Sequence, residues 1–262
     1  MANLKDKVAL VTGASQGIGR AIAKQLATQG AHVILVAHDD EHLQQAFKEL
    51  SRSGSASKYG LDLTDDTSVA SMITSVLTEH DAIDILVNNA GVGGPTAPVQ
   101  EVSLKEWDHT LSINLRVPFL LSRGLAPAMI ASGTGKIINI SSIAGKMAYP
   151  LRTPYAASKW GLIGLTLTLA QELGPENIQV NAICPGPTQT DLIQAVIQAR
   201  AEATGKSFDD MAKEYVKATA LKRMVQPSEI AQLVSYLCSD EAEAITGQAI
   251  DVSAGYGLRI GD

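Results

Sequence analysis

Tyr155 and Lys159 lie four positions apart in the stretch TPYAASKWG (153–161), a spacing that stacks two side chains on one face of a helix. A free phenol has a pKa near 10, about three units too high for a base at neutral pH. A nearby ammonium stabilises the phenolate and lowers that value. Such a pair can take a proton from an alcohol or return one to a carbonyl. An exposed pair, with the lysine stem lying along the ring, uses the same two residues at the same spacing. The rest of the sequence chooses between the two.

A second candidate lies near the N-terminus. TGASQGIG (12–19) sets Gly13, Gly17 and Gly19 between an apolar run, KVALVTG (7–13), and a helical pattern, GIGRAIAKQLATQG (17–30). Glycines let the backbone approach a pyrophosphate, and the helix that follows aims its N-terminal amides at the negative charge. The spacing is G-x-x-x-G-x-G, not the more familiar G-x-G-x-x-G. A tight turn between packed elements would also use these glycines. Their place, after the first strand and at the start of the first helix, favours a dinucleotide loop built from Gly13, Ser15, Gln16, Gly17, Ile18 and Gly19.

Both candidates need elements to position them. Short apolar runs alternate with helical patterns along the chain. Strands are predicted at 7–13, 31–37, 58–65, 83–91, 135–142, 178–186 and 247–255. Helices are predicted at 17–30, 40–52, 66–80, 103–131, 154–173 and 227–240, with two more within 188–218. Pro118 should bend the long helix at 103–131. The strands read as continuous apolar runs, as parallel strands buried on both faces do. The expected architecture is α/β, a single doubly wound, Rossmann-type domain over residues 1–262 with a parallel seven-stranded sheet.

Composition excludes several classes. The formal net charge is -6 and no basic run tracks a phosphate backbone, so nucleic acid is not an expected partner. Cys184 and Cys238 make neither a disulfide framework nor a metal cluster and read as small core residues of a protein in a reducing cytoplasm. No apolar stretch has the length of a signal peptide or a membrane span. Neither a membrane nor a metal is expected.

Four further stretches complete a pattern: NNAG (88–91), Asn114 within INL, NISS ending at Ser142, and PGP (185–187). With TGASQGIG and YAASK, in this order and spacing, the chain resembles the short-chain dehydrogenase/reductase family in its compact single-domain branch. The resemblance spans the whole chain. It implies hydride transfer between a nicotinamide dinucleotide and a secondary alcohol or ketone, with Asn114, Ser142, Tyr155 and Lys159 as the catalytic set. Tyr155 would act as acid/base and Ser142 would bond the substrate oxygen. Lys159 would also hold the nicotinamide ribose, and Asn114 would support a water-linked proton relay. The resemblance assigns Asp62 and Leu63 to the adenine, and Asn89 and Gly91 to the neighbourhood of the ribose. Thr188 and Thr190 would bond the carboxamide, and Pro185 and Gly186 would also contact the cofactor. Thr190 would also suit a helix cap.

The cofactor choice turns on the end of the second strand. Asp39 lies 20 positions past Gly19, the count expected for an acid on the ribose 2′-hydroxyl. Aligned from Gly30 and Ala31, the family's acid falls on Ala37 and its NADP-type arginine on His38. No phosphate clamp is present, Gln16 replaces a basic residue, and Asp39 and Asp40 would repel a phosphate. NAD(H) is therefore expected over NADP(H), with His38 as the residue that could reverse the preference.

The segment 188–224 is expected to form a helical lid over the substrate. Near Tyr155, Lys146 and Arg152 are cations suited to an anionic substrate group, although Arg152 would also suit a structural ion pair. With Met147, Tyr149 and Leu151 they suggest a small or medium hydroxy/keto substrate. A 3-oxoacyl-[acyl-carrier-protein] reductase using NADPH and a sugar or polyol dehydrogenase remain open, as does a non-catalytic nucleotide-binding sensor. The resemblance also implies a homotetramer, or a homodimer, using the long helix, the apolar helix after Tyr155 and the last strand.

Overall fold

Alternate residues of a strand point to opposite faces, so a run that is apolar throughout needs cover on both sides. The computed structural model, which describes residues 3–38, 40–80 and 82–258, supplies that cover. Among the described residues the strands are β1 (Val8–Thr12), β2 (His32–Ala37), β3 (Ala56–Gly60), β4 (Ile85–Asn88), β5 (Gly135–Ile140), β6 (Ile178–Pro185) and β7 (Ala249–Val252). They form one parallel sheet in the order β3-β2-β1-β4-β5-β6-β7. The helices are α1 (Gly17–Thr28), α2 (Glu41–Ser53), α3 (Asp66–Glu79), α4 (Leu104–Leu111), α5 (Val117–Ser132), α6 (Thr153–Leu173), α7 (Asp191–Thr204), α8 (Phe208–Lys217) and α9 (Pro227–Leu237). None of them is long and apolar enough to cross a membrane.

β2 shows how the two layers form. Val33 and Leu35 join a cluster with Ile22 and Leu26 of α1 and Ile230 and Val234 of α9. Ile34 and Val36 join a second cluster with Val69 of α3 and Leu121 and Leu125 of α5. All eight residues of β6 are buried. The two cysteines are buried and free. Burial pushes the Cys184 thiol up to about 11 and the Cys238 thiol to about 12, which keeps both inert.

Three boundaries differ from expectation, each for a local reason. The third strand covers Ala56–Gly60, not 58–65. The Asp62 carboxylate accepts from the Thr64 amide and hydroxyl, each at 2.8 Å, and Asp65 caps α3 through the Thr67 amide. These aspartate turns end the strand. The last strand stops at Val252, before Ala254 and Gly255 turn with positive φ. The long helix is not continuous: just before Pro118 it widens into a π-helical turn over Ser112–Arg116, where the Val117 amide bonds the Ser112 carbonyl five residues back. Proline has no N–H, so the Asn114 carbonyl, four residues earlier, loses its α-helical donor. One wide turn accommodates that loss.

The sheet order reverses between β1 and β4, and the turn after β1 is packed against the end of β4. The Thr12 hydroxyl accepts from the Asn89 and Ala90 amides at 3.0 Å. Asn89 Nδ2 donates to the carbonyls of Thr12 (2.9 Å) and Gly13 (3.3 Å). Gly13 turns at φ 63°, and a Cβ on Gly19 would stand 2.1 Å from the Gly13 oxygen. A Gly19→Ala substitution must therefore separate α1 from its loop. We expect a loss of at least the 1–3 kcal/mol typical of overpacking, read as a lowered denaturation midpoint. An unchanged midpoint would show that the loop yields freely.

Candidate active site

A cleft of about 390 Å³ opens at the strand ends where the sheet order reverses. Open α/β sheets bind ligands at this position. Gly13, Ser15, Gln16, Gly17 and Ile18 form one wall. Gln16 precedes α1 without a side-chain cap, and the first turn of α1 carries no acid. Its N-terminal amides are claimed by no side chain, so the positive end of the helix suits a pyrophosphate. Gly19 is not on the wall. It serves the packing of α1 on the loop, as does Asn89, which also reaches the cleft. These features fit a dinucleotide.

The end of the cleft beside β2 and the turn after β3, where the resemblance would put the adenosine, is bounded by Ala37, His38, Asp40, Asp62 and Leu63. Asp40 caps α2, accepting from the Leu43 amide at 2.9 Å. The bonds from Thr64 hold the Asp62 carboxyl below its usual range. Asp39 lies outside the described residues. Among those described on this wall, none is lysine or arginine.

At the other end the wall carries Ser142, Tyr155 and Lys159. Ser142 follows β5, and its hydroxyl accepts from the Ala144 amide at 3.1 Å. Tyr155 and Lys159 occupy one face of α6. Lys159 is 4 % exposed, donates to the Ile140 carbonyl at 2.9 Å and sits 5.8 Å from the centre of the Tyr155 ring. Burial strips water from its ammonium and lowers its pKa to about 8. The electrostatics of the phenol differ from expectation. Burial dominates and raises the Tyr155 pKa; a hydrogen bond with Ser142 and then the charge of Arg152 oppose it. The two groups that oppose burial are thus Ser142 and Arg152, while the Lys159 ammonium lies beside the ring and bonds the Ile140 carbonyl.

Asn114 stands one layer behind the wall. It is fully buried, its Oδ1 accepts from the Val92 amide at 2.8 Å, and its Nδ2 donates to the Val92 carbonyl and to the Ser158 hydroxyl. Ser158 in turn donates to the Tyr155 carbonyl at 2.7 Å. Asn114 thus ties the loop after β4 to α6. Gly91 leaves room beside it: a Cβ there would lie 3.2 Å from Asn114 Oδ1 and 3.6 Å from Lys159 Nζ.

The structure separates the two cations near Tyr155. Lys146 is exposed and turned to β7, where it pairs with Asp251 at 2.8 Å and donates to the Ala249 carbonyl. It is absent from the cleft wall, and its assignment to the substrate is withdrawn. Arg152 is on the wall and 2 % exposed. Its Nη2 donates to the Gly93 carbonyl at 2.5 Å, its Nη1 to Thr96 at 3.2 Å, and its guanidinium lies 5.3 Å over the Tyr155 ring. It has no ion-pair partner among the described residues.

Pro185, Gly186, Thr188 and Thr190 close the floor. Thr190 also caps α7, accepting from the Ile193 amide. Leu192, Ile193 and Val196 of α7 face the cleft, while Ile197 and Ala201 pack on Met211 and Tyr215 of α8. The Tyr149 hydroxyl meets that of Tyr215 at 3.1 Å, joining this helical pair to the loop before α6. Sequence reasoning missed Thr12, Ile140, Val92 and Gly93. The last three act through backbone groups, which leave no mark in residue type. Thr12, a polar residue ending an apolar strand, was a legible signal.

The buried Lys159 has a stability consequence in the dinucleotide-free protein. Below about pH 8 both native and unfolded chains hold the proton, and the full burial penalty applies. Between about 8 and the ordinary 10.5 the unfolded chain binds more proton, so stability rises with pH. The shift corresponds to a penalty on the order of 3 kcal/mol. Lys159→Met should melt higher than the parent at pH 7, and the gap should close towards pH 10. Equal midpoints at pH 7 would contradict the desolvated ammonium.

Known proteins are similar to this chain in sequence and fold. The model of the family described as "Enoyl-(Acyl carrier protein) reductase" matches residues 13–257. A 3-oxoacyl-[acyl-carrier-protein] reductase of Thermotoga maritima is 36 % identical, with 96 % of this chain and 98 % of that protein covered. NAD+-bound xylitol dehydrogenase superposes with a TM-score of 0.93 at 31 % identity, covering 96 % of this chain and 99 % of the other. A variant of actinorhodin polyketide ketoreductase with NADPH also gives 0.93, at 34 % identity and 99 % and 100 % coverage. The chain belongs to the short-chain dehydrogenase/reductase family of NAD(P)-dependent oxidoreductases that interconvert alcohols and carbonyl compounds.

Proposed function

We propose that the protein is an NAD(H)-preferring dehydrogenase of a small or medium secondary alcohol, working reversibly with the matching ketone. The observation that carries the cofactor preference is the adenosine end of the cleft. Asp40 and Asp62 stand there with no described lysine or arginine, so a 2′-phosphate would meet negative charge and no clamp. Relatives bind either form: one neighbour carries NAD+ and another NADPH.

The bound dinucleotide supplies hydride exchange at its nicotinamide. The protein's part is positioning and proton transfer. We assign the substrate oxygen to Ser142 and Tyr155, and Tyr155 takes the hydroxyl proton as the carbinol carbon loses hydride. In the other direction Tyr155 returns that proton to the carbonyl oxygen. Arg152 and the Ser142 bond favour the phenolate that oxidation needs. Lys159 is held by the Ile140 carbonyl beside the ring, within reach of a ribose placed against Gly91. Asn114 keeps that region in register through Val92 and Ser158. The α7–α8 pair is read as the lid.

A second reading has support in the relatives. A 3-oxoacyl thioester reductase would use the same tyrosine and serine, as the Thermotoga maritima relative's name implies for that protein. Polyol dehydrogenation is likewise supported by the xylitol dehydrogenase neighbour.

We also infer a single domain, a cytoplasmic setting consistent with two free buried thiols, and a homotetramer or homodimer. The assembly is supported by apolar side chains left on α5 and α6: Phe119 is 45 %, Trp160 52 % and Leu167 47 % exposed. Light scattering should give a mass of four or two chains, and a monomer would overturn this point.

Absorbance at 340 nm, with NAD+ and NADP+ offered alongside secondary alcohols, polyols and hydroxy acids, tests the activity. NAD+ should give at least about tenfold higher kcat/KM than NADP+, equivalent to 1.4 kcal/mol. Tyr155→Phe should lower kcat by about 10²–10⁴-fold. Oxidation of no alcohol, together with NADPH consumption by a 3-oxoacyl thioester, would replace this reading with the second.

A further inference from the structure

Among the described residues, Arg152 is a buried cation without an anionic partner. A guanidinium removed from water is costly unless it is paired and its donors are used. Among the described residues, only two of its five N–H groups have partners, and both partners are neutral oxygens, of Gly93 and Thr96. Nε is buried with no acceptor. No carboxylate pairs with it, although Asp191 stands on the same cleft wall.

The side chain is also fixed in place. Its Nη2 grips the Gly93 carbonyl, and a Cβ on Gly93 would lie 2.8 Å from that nitrogen. The Tyr155 ring lies beneath the guanidinium, and Leu192 and Val196 of α7 come within 3.7 Å of where a Gly93 Cβ would stand, beside the carbonyl that Arg152 grips. A positive group is therefore held by two hydrogen bonds and a ring contact on the cleft wall next to the acid/base. A planar guanidinium with free donors matches an oxoanion through parallel N–H···O bonds, and these strengthen where water is excluded.

We propose that Arg152 is a specificity-determining residue that binds an oxoanion on the substrate, so that the natural substrate is a hydroxy or keto acid. Its anionic group, a carboxylate or sulfonate, sits on a short spacer from the carbinol carbon. The proposal rests on the oxidoreductase reading above and adds the substrate's charge to it. The α7 side chains Leu192 and Val196 cover the spacer and keep water from the ion pair. Lys146, paired with Asp251 outside the cleft, takes no part.

Because Arg152 also acts on Tyr155, loss of rate in a variant is not diagnostic by itself. The ratio of two substrates is, since an effect on the phenol cancels. The test uses 3-hydroxybutanoate and 3-hydroxybutane-1-sulfonate, each beside a neutral counterpart, the ethyl ester and the sulfonamide. The wild-type enzyme with NAD+ should favour at least one anion over its counterpart by about 30-fold or more in kcat/KM, the scale of a charge-assisted bond worth about 2 kcal/mol. In Arg152→Gln that ratio should fall to near one, with the loss in KM for the anion. The stronger of the two anions identifies its class. A wild-type ratio near one, or a ratio that survives in Arg152→Gln, would overturn the proposal.

A binding measurement keeps the inference separate from the activity reading. With NAD+ present, the preferred anion should raise the wild-type melting temperature and leave that of Arg152→Gln unmoved. NADH fluorescence checks that the variant is folded with its dinucleotide site intact. Arg152→Lys provides a second variant if the glutamine form does not fold, and should retain only part of the preference, because a point charge cannot make the forked contact. If neither anion shifts the wild-type melting temperature, the anion site is wrong, whatever alcohol is oxidised. If an anion binds through Arg152 and is not oxidised, the site stands and the reading of the reaction fails.

Discussion

The parallel sheet reverses its direction of winding between β1 and β4, and the rest of the site depends on that reversal. Chain from β1 departs towards α1 on one side, while chain from β4 departs on the other. The strand ends between them have no crossing connection and leave a cleft. Closing that junction tightly falls to Thr12 and Asn89, whose bonds lash the turn after β1 to the end of β4. Gly13 and Gly19 are then required, because no Cβ fits between loop, helix and Asn89. The dinucleotide wall is thus a consequence of how two strand ends are joined.

The acid/base end follows from a different constraint. Tyr155 and Lys159 are fixed on α6, and α6 is anchored at several points. The Ser141 hydroxyl holds the Lys159 carbonyl, Lys159 holds the Ile140 carbonyl, and Asn114 holds Ser158. The π-helical turn at Ser112–Arg116 brings Asn114 to this network, and Pro118 is the reason a plain α-helix is not kept there. Burial at this end weakens positive charge and opposes phenol ionisation together. The help to Tyr155 comes from Ser142 and from Arg152, a residue beyond the familiar set of four.

Charge is distributed unevenly along the cleft. The described carboxylates at the adenosine end have their own partners in the turns that cap α2 and α3. The described cations on the wall, Arg152 and Lys159, are both near Tyr155, and neither forms an ion pair among the described residues, Asp191 of the same wall included. Such a field orients a ligand before any single contact does. It also explains why α7 and α8 matter. They are joined to the loop before α6 through Tyr149 and Tyr215, and Leu192, Ile193 and Val196 of α7 line the cleft.

The sequence by itself determined the layered fold and pointed to the residues, Ser142, Tyr155 and Lys159, that the fold brings to one cleft. Continuous apolar strands require cover on both faces, and glycine spacing, strand ends and the tyrosine–lysine interval are local properties that residue order records. Most element boundaries were legible for the same reason. β3 was placed too late because the aspartate turns at Asp62 and Asp65 compete with the strand, a balance that propensity does not resolve. Only the tertiary structure decided what each charged group faces. Lys146 and Arg152, six residues apart in similar local sequence, part company because one meets Asp251 on β7 and the other is enclosed under the loop after β4. The balance of effects on the Tyr155 phenol was likewise decided by folding, since desolvation depends on everything packed around a group and not on its neighbours in the chain.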